Sequence, residues 1–329
     1  MEGPRISVCL PILNGAVDLA RLLPALAGQV GVGEVEVVAI DSSSTDSSVE
    51  QLEAAGARVE VIPRSAFRHG PTRNRLAGMA RGEICVFLSQ DALPADEHFL
   101  ASLTSPLLGL SSDLAVGSPE GAAGSPPRIS GATARVLPHP ADDPLTARTV
   151  LHAPEAGSES EIRRLPAGAR LADLPPEERD DLVRFNDVAS AIRREVLLEL
   201  PFPDVPFAED AAWAALALDA GHALAFVAEA VVLHAHRYGP RTAFERYRVD
   251  AAWQRRAHGV RVRPGLISVL RGFLFELRAD VRHVSGEGAG WLHLCRAPFL
   301  RGGQVLGQWF GSHGWVLPGT KRSATDRYS

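Results

Sequence analysis

Lysine is almost missing from this chain: among 34 Lys and Arg residues, only residue 321 is a lysine. That excludes the phosphate-cradling loop G-x-x-x-x-G-K-[ST], which needs a lysine directly after a glycine-rich turn. The dinucleotide fingerprint G-x-G-x-x-G is missing as well, because the turn after the first apolar run reads PILNGAVD, with one glycine. Cysteine is scarce. Cys9, Cys85 and Cys295 lie far apart and make no C-x-x-C or C-x-H pair, so a reducing compartment and no disulfide framework are expected. The opening MEGPRISVCLPIL has no basic run and no long apolar core before a small-residue cleavage site, which argues against a signal peptide. No stretch of roughly eighteen residues is strongly apolar and free of charge, which argues against a membrane-spanning helix. No repeat at a fixed period is visible.

What is present fits a soluble globular protein of one large or two ordinary domains: 329 residues, 46% hydrophobic and 22% charged. The net charge of −5 hides an asymmetry. Residues 235–329 hold 16 Lys and Arg against 6 Asp and Glu, while the rest of the chain is acidic. A basic C-terminal third suggests an anionic partner, either a membrane surface or a substrate. Nucleic acid is disfavoured, since no recognised binding module accompanies the charge.

The first hundred residues alternate apolar runs with helical patterns. Strands are predicted at 6–13, 34–41, 58–63 and 83–90, and helices at 17–29, after Ser44 or Thr45, and at 71–82. This alternation implies parallel βαβ units and a sheet covered on both faces. Residues 118–180 then hold ten of the 24 prolines without clear periodicity, which suggests a lid or a disordered segment. Regularity returns at 185–200, in a helix at 208–221 and in a strand at 224–236. In GLISVLRGFLFELRADVRHV (265–284), Leu266, Leu270, Phe273, Leu277 and Val281 share one face, and Arg271, Arg278 and Arg282 another. This reads first as an amphipathic helix packed on the core. The alternative is an interfacial helix on an anionic bilayer, helped by Trp291, Trp309 and Trp315.

The strand ends carry the chemistry. In VFLSQDALPAD (86–96) an apolar run stops at Asp91, which is either a turn residue or part of a metal or phosphate site, because strand ends in open α/β sheets face the ligand crevice. Arg73 falls in the first turn of its predicted helix, where free N–H groups favour anions and a cation opposes the dipole. Glu209 and Asp210 open another helix, where the dipole alone would favour acids. His234 and His236 alternate along a strand and so face one side. No cysteine or third histidine lies at zinc-ligand spacing.

Together these blocks resemble glycosyltransferase family 2 and its GT-A fold, from about residue 5 to 250. SVCLPILNGA and VVAIDSSSTDSS resemble its first two strands and their loops. FRHGPTRNRLAGMARGE, FLSQDALP, NDVASAIRR, PFPDVPFAEDAAWA and VVLHAHRY, in this order, are similar to bacterial rhamnosyltransferase-like members. The resemblance implies a Rossmann-like, mostly parallel sheet flanked by helices, with a helical C-terminal extension. It divides the chain into a nucleotide-sugar-binding half (1–117), a Pro/Gly-rich loop or lid (118–184), an acceptor and catalytic half (185–250) and a basic helical extension (251–329). It makes Asp210 the catalytic base, supported by Glu209. Pro11, Leu13, Asp41, Arg73, Gln90 and Asp91 would bind the nucleotide sugar, and Asp91 with His234 or His236 would hold Mg²⁺ or Mn²⁺. Ser89 and Ser42 stand where the family often has acids, and GSPEGAAGSPP (117–127) lacks the motif usual there.

The implied activity is inverting transfer of a sugar, with dTDP-L-rhamnose favoured as donor, to a hydroxyl of a saccharide or lipid-linked acceptor in cell-surface polysaccharide synthesis. The implied place is the cytoplasm, with peripheral contact at the inner face of the membrane as a hypothesis. The rival is a non-catalytic GT-A-fold protein that binds a saccharide or a partner, favoured by the two missing acids. A sugar-phosphate nucleotidyltransferase is disfavoured, since no glycine-rich, lysine-bearing loop follows the first strand.

Overall fold

Residues 6–109, 128–257, 259–288 and 290–315 are described in a computed structural model of the chain. Lys321 and the segment GSPEGAAGSPP lie outside the described residues. The N-terminal part follows the alternation read from the sequence: β1 (Ile6–Ile12), α1 (Ala16–Ala27), β2 (Val35–Asp41), α2 (Ser48–Ala54), β3 (Arg58–Val61), α3 (His69–Met79) and β4 (Ile84–Leu88). Strands β3, β2, β1 and β4 lie side by side, all parallel. Their side chains alternate between two cores. Val8, Leu10 and Ile12 pack on one face with α1, while Cys9, Val38, Ile40, Cys85 and Phe87 pack on the other against α3. Both faces are covered, which is why these strands read as continuous apolar runs.

The remaining elements are β5 (Leu93–Pro94), α4 (Phe99–Leu108), β6 (Ile129–Leu137), α5 (Pro144–Leu151), β7 (Glu161–Arg163), α6 (Pro176–Leu182), β8 (Ala189–Arg193), α7 (Arg194–Glu199), α8 (Glu209–Asp219), β9 (Ala223–Leu233), α9 (Pro240–Ala257), α10 (Leu266–Gly286) and α11 (Ala297–His313). The sheet continues β4-β8-β6-β9-β5, with β7 also paired to β9. In this half only β6 and β9 pair in parallel; the other contacts are antiparallel. The sheet is therefore mixed, parallel where helices cross over and antiparallel beyond.

Several expectations are corrected. Residues 129–137 lie inside the Pro-rich stretch taken for a lid or disorder, yet they form a central strand. Its run ISGATARVL escapes apolar patterning because the sheet there needs small residues. A Cβ on Gly131 would lie 3.0 Å from both Phe185 and Trp213. Helix α2 starts at Ser48, not at a cap on Ser44 or Thr45, because both of those are spent elsewhere: Ser44 on Asp41, and Thr45 N–H on Asn14 Oδ1 at 2.8 Å. Arg73 is one turn inside α3, which begins at His69.

The apolar face of α10 packs only in part: Leu277 packs beside Val284 in a small core cluster and Phe273 is half-buried. Leu266, Leu270 and Val281 are exposed, and the buried positions are Gly272, Asp280 and Val284. An ionic network occupies the buried side. Arg148 of α5 donates to Asp280 at 2.5 Å and to Glu276, and Arg301 of α11 holds Asp280 through two bonds of 2.8 and 2.9 Å. All three of Arg148, Asp280 and Arg301 are buried. Buried charges persist only when paired in this way.

Helix α11 approaches α9 closely because Gly303, Gly307 and Gly311 face its backbone. A Cβ on these glycines would collide with the carbonyl oxygens of Pro240, Phe244 and Arg248 respectively. Gly302, one residue away, has only the Phe273 ring within reach, at 4.0 Å. Gly307→Ala should therefore destabilise the protein by about 1–3 kcal/mol, as overpacking does. Gly302→Ala should be neutral or stabilising by up to about 1 kcal/mol, from helix propensity. Urea denaturation midpoints check the pair, and equal midpoints would contradict the close crossing.

Candidate functional site

Helix α8 begins after a turn at Ala208, whose φ of 57° is left-handed. Among the described residues three non-glycine residues show positive φ, the others being Asn14 and Ser43 in the loops after β1 and β2. Such backbone strain gathers at functional loops. The turn delivers Glu209 and Asp210 to the first turn of α8, where unpaired N–H groups favour anions. Asp210 accepts from Ala211 N at 2.8 Å and from Asp187 N at 3.3 Å. Asp187, buried just before β8, accepts from Ser190 Oγ at 2.6 Å. The Arg73 guanidinium fills the space between, with Nε 3.0 Å from Asp187 and Nη1 paired to Glu209.

Three carboxylates thus surround one buried guanidinium. Burial, opposed by Arg73 and reinforced by Asp210 and Glu209, pushes the Asp187 carboxyl up to about 7. Burial and the neighbouring Glu209 charge also raise Asp210 above the ordinary aspartate value, with Arg73 pulling the other way. Unlike Asp187 and Glu209, Asp210 makes no ion pair with Arg73 among the contacts of the described residues. A raised carboxylate with an unspent charge at a cavity wall has the character of a general base.

A second cluster lies at the ends of β4 and β9. The two-residue strand β5 pairs Leu93 with Leu233 and Pro94 with Val232, which brings the turn carrying Asp91 against the end of β9. His234 and His236 lie just past that strand, not within it. His234 Nε2 is 3.4 Å from one Asp91 oxygen and His236 Nδ1 is 3.7 Å from the other. Their ligand atoms all fall within 4.8 Å of one another. Burial raises the Asp91 carboxyl, but the His234 hydrogen bond and both imidazole charges outweigh it, leaving the group below its usual value.

The two clusters share one cleft. Ser89 N–H donates to Val188 O at 2.9 Å, so the Asp91 turn and the Asp187 loop are tied backbone to backbone. A cavity of about 580 Å³ is lined by Arg73, Asp187, Glu209 and Asp210 and also by Ser89, His234 and His236. Thr146, Thr149 and Val150 of α5 and Arg246, Asp250 and Trp253 of α9 complete its walls. These walls are what the ionic network and the glycine crossing hold in place.

Pro11, Leu13, Asp41, Gln90 and Asp91 do not line this cavity, although both histidines that converge on Asp91 do. Asp41 is fully buried and accepts from Ser44 N at 2.8 Å and from Ser44 Oγ, so its carboxylate shapes the β2 turn. Gln90 accepts from Leu13 N at 2.9 Å and donates to Leu13 O at 3.2 Å, fastening the β1 loop to the Asp91 turn. Pro11 and Leu13 are partly buried beside them. The structure adds residues to which the sequence assigns no role. Asp187 sits inside NDVASAIRR, where an acid next to a buried strand is the only visible signal. Arg246 stacks over the Phe207 ring at 4.8 Å and lines the cavity, but within its helix it reads as one arginine among many.

Glu209 adds to the upward push on Asp210, so Glu209→Gln should lower the Asp210 carboxyl while keeping a partner for Arg73. Carboxyl ¹³C NMR titration, assigned with Asp210→Asn, checks this. A value for Asp210 that is unchanged or higher in the variant would contradict the coupling.

The sequence model of the family described as Glycosyl transferase family 2 matches residues 7–154. The O-antigen chain rhamnosyltransferase WbaN of Salmonella anatum is 32% identical over 219 residues, covering 64% of this chain and 60% of that protein. RfbN of Salmonella typhimurium, likewise an O-antigen chain rhamnosyltransferase, is 29% identical over 255 residues, covering 74% and 70%. A mannosyltransferase from Pyrobaculum calidifontis, solved with GDP-Man and Mn²⁺, aligns over 95% of this chain and 87% of its own with a TM-score of 0.52 at 17% identity. S. aureus TarS 1-349 aligns over 94% and 90% with a TM-score of 0.51 at 14% identity. Those two structures speak to the fold alone, and the fold is GT-A. Residues 7–154 thus carry a glycosyl transferase family 2 domain.

Proposed function

We propose that the protein is an inverting glycosyltransferase. It moves a sugar, with L-rhamnose from dTDP-L-rhamnose favoured, from a nucleotide-diphosphate donor to a hydroxyl of a saccharide or lipid-linked acceptor. The observation that carries this reading is one cavity lined both by Asp210 and by His234 and His236, the two histidines that converge on Asp91. The rhamnosyl preference rests on the names of the Salmonella relatives.

The cluster fits a divalent cation: one carboxylate and two imidazoles converge with ligand atoms close enough to share an ion. The two nitrogens favour Mn²⁺ over Mg²⁺, which takes oxygen ligands. Histidines supply what Ser89 lacks. When bound, the cation would neutralise charge growing on the departing diphosphate.

The chain's own residues do the rest. Asp210 takes the proton of the acceptor hydroxyl as its oxygen attacks the anomeric carbon. The carbon–oxygen bond to the diphosphate breaks on the opposite face, and the nucleoside diphosphate leaves with the bonding pair. One displacement inverts the anomeric centre. Glu209 and Asp187 hold Arg73 beside Asp210, whose carboxyl burial and the Glu209 charge raise above its ordinary value while Arg73 opposes them.

Asp210→Asn should lower kcat by about 10²–10⁴-fold, the usual worth of a general base, with donor affinity little changed. Asp91→Asn should instead raise the Mn²⁺ concentration needed for half-maximal rate. Transfer and slow donor hydrolysis, assayed across a panel of nucleotide sugars with and without Mn²⁺, check both. Saccharide binding without turnover of any donor would overturn this reading in favour of a non-catalytic binding protein.

A further inference from the structure

We propose that α10 is a membrane-docking element that lies in the interface of an anionic bilayer. This goes beyond the transfer reaction and does not depend on it.

The helix has two distinct sides. At about 100° per residue, Leu266, Leu270, Val281, Leu274 and Ile267 fall along an arc of roughly 100°, on whose edge Leu277 and Val284 turn into a core cluster. All five are exposed, Ile267 by 71% and Leu270 by 59%. Arg278, Arg271 and Arg282 occupy the next part of the turn, also exposed, and Phe275 lies just beyond them at 64%. The acids of the helix, Glu276 and Asp280, are on the other side and are consumed by Arg148 and Arg301. The outward face is therefore apolar and bordered by arginine, with no carboxylate of its own. Trp291 and Leu292, in the short turn that follows the helix, are exposed at 70% and 67%.

Charge decides the occupant. Apolar side chains beside a row of arginines match the acyl boundary and the anionic headgroups of a bilayer surface. A second copy of the chain meeting this face would set its arginine border near an identical border, which is repulsive. No helix among the described residues is long and apolar enough to cross a membrane, so contact through this face is contact with the surface. The helix is fixed to the body by the buried network, so it can carry the whole molecule to the bilayer without unfolding.

The test is cosedimentation of the full chain with large unilamellar vesicles of phosphatidylcholine, with and without phosphatidylglycerol. Binding should require phosphatidylglycerol and weaken as salt rises. The double variant Leu270→Glu with Leu274→Glu should lower the partition coefficient about tenfold or more. Arg271→Glu with Arg278→Glu should lose the preference for phosphatidylglycerol. All four positions are exposed, and unchanged circular dichroism and thermal midpoint would verify that the variants fold. Three results would overturn the proposal. The wild-type chain could stay in the supernatant with both vesicle types, or bind equally in all variants. Sedimentation velocity could instead show Leu270→Glu with Leu274→Glu splitting a dimer, which would assign the face to a second copy.

Discussion

The site depends on one electrostatic constraint: Arg73 is buried among three carboxylates and can neutralise only part of their charge. Its guanidinium engages Asp187 and Glu209 directly, which joins α3, the loop before β8 and the start of α8 into one rigid wall. Without that cation, acids so close together in a dry site could not all stay ionised. With it, Asp187 and Glu209 are paired, and Asp210 stands at the cavity outside those pairs with a raised carboxyl. A basic carboxylate facing empty space is what deprotonation of an alcohol requires.

The opposite wall is set by backbone rather than charge. The pairing of β5 with β9, the Gln90 clasp on Leu13 and the Ser89–Val188 bond fix the Asp91 turn relative to two histidines and to the Asp187 loop. The remaining walls come from α5 and α9. Neither helix belongs to the parallel half of the sheet, and both are braced from outside: α5 by Arg148 on Asp280, α9 by the glycine face of α11. The C-terminal helices therefore serve the cavity through packing, and they leave the outward face of α10 uncommitted.

Much of this was legible in the sequence, for specific reasons. Strands β1 to β4 announce themselves because a parallel strand buried on both faces must be apolar throughout. Asp91, Glu209, Asp210, His234 and His236 were findable through motif blocks at strand and helix ends. What escaped was non-local. Strand β6 needs Gly131 beneath two aromatic rings, so it lacks the apolar signature. Strand β5 is two residues long and exists only because β9 is there to pair with it. The partnership of Arg73 with Glu209 spans 136 residues of chain. The face of α10 was legible in part: apolar spacing located the helix, but periodicity does not say that Leu277 packs inward while Leu266 and Leu270 stay exposed.

The central claim is that the two clusters bind opposite ends of one reacting pair in one cleft. Anomalous diffraction from crystals soaked with Mn²⁺ and dTDP tests it most directly. The account predicts a manganese peak coordinated by Asp91 with His234 or His236, the diphosphate beside it, and open space between it and Asp210 for a sugar. A manganese peak bound elsewhere, or a nucleotide seated outside the cavity shared by Asp210 and His234, would contradict it.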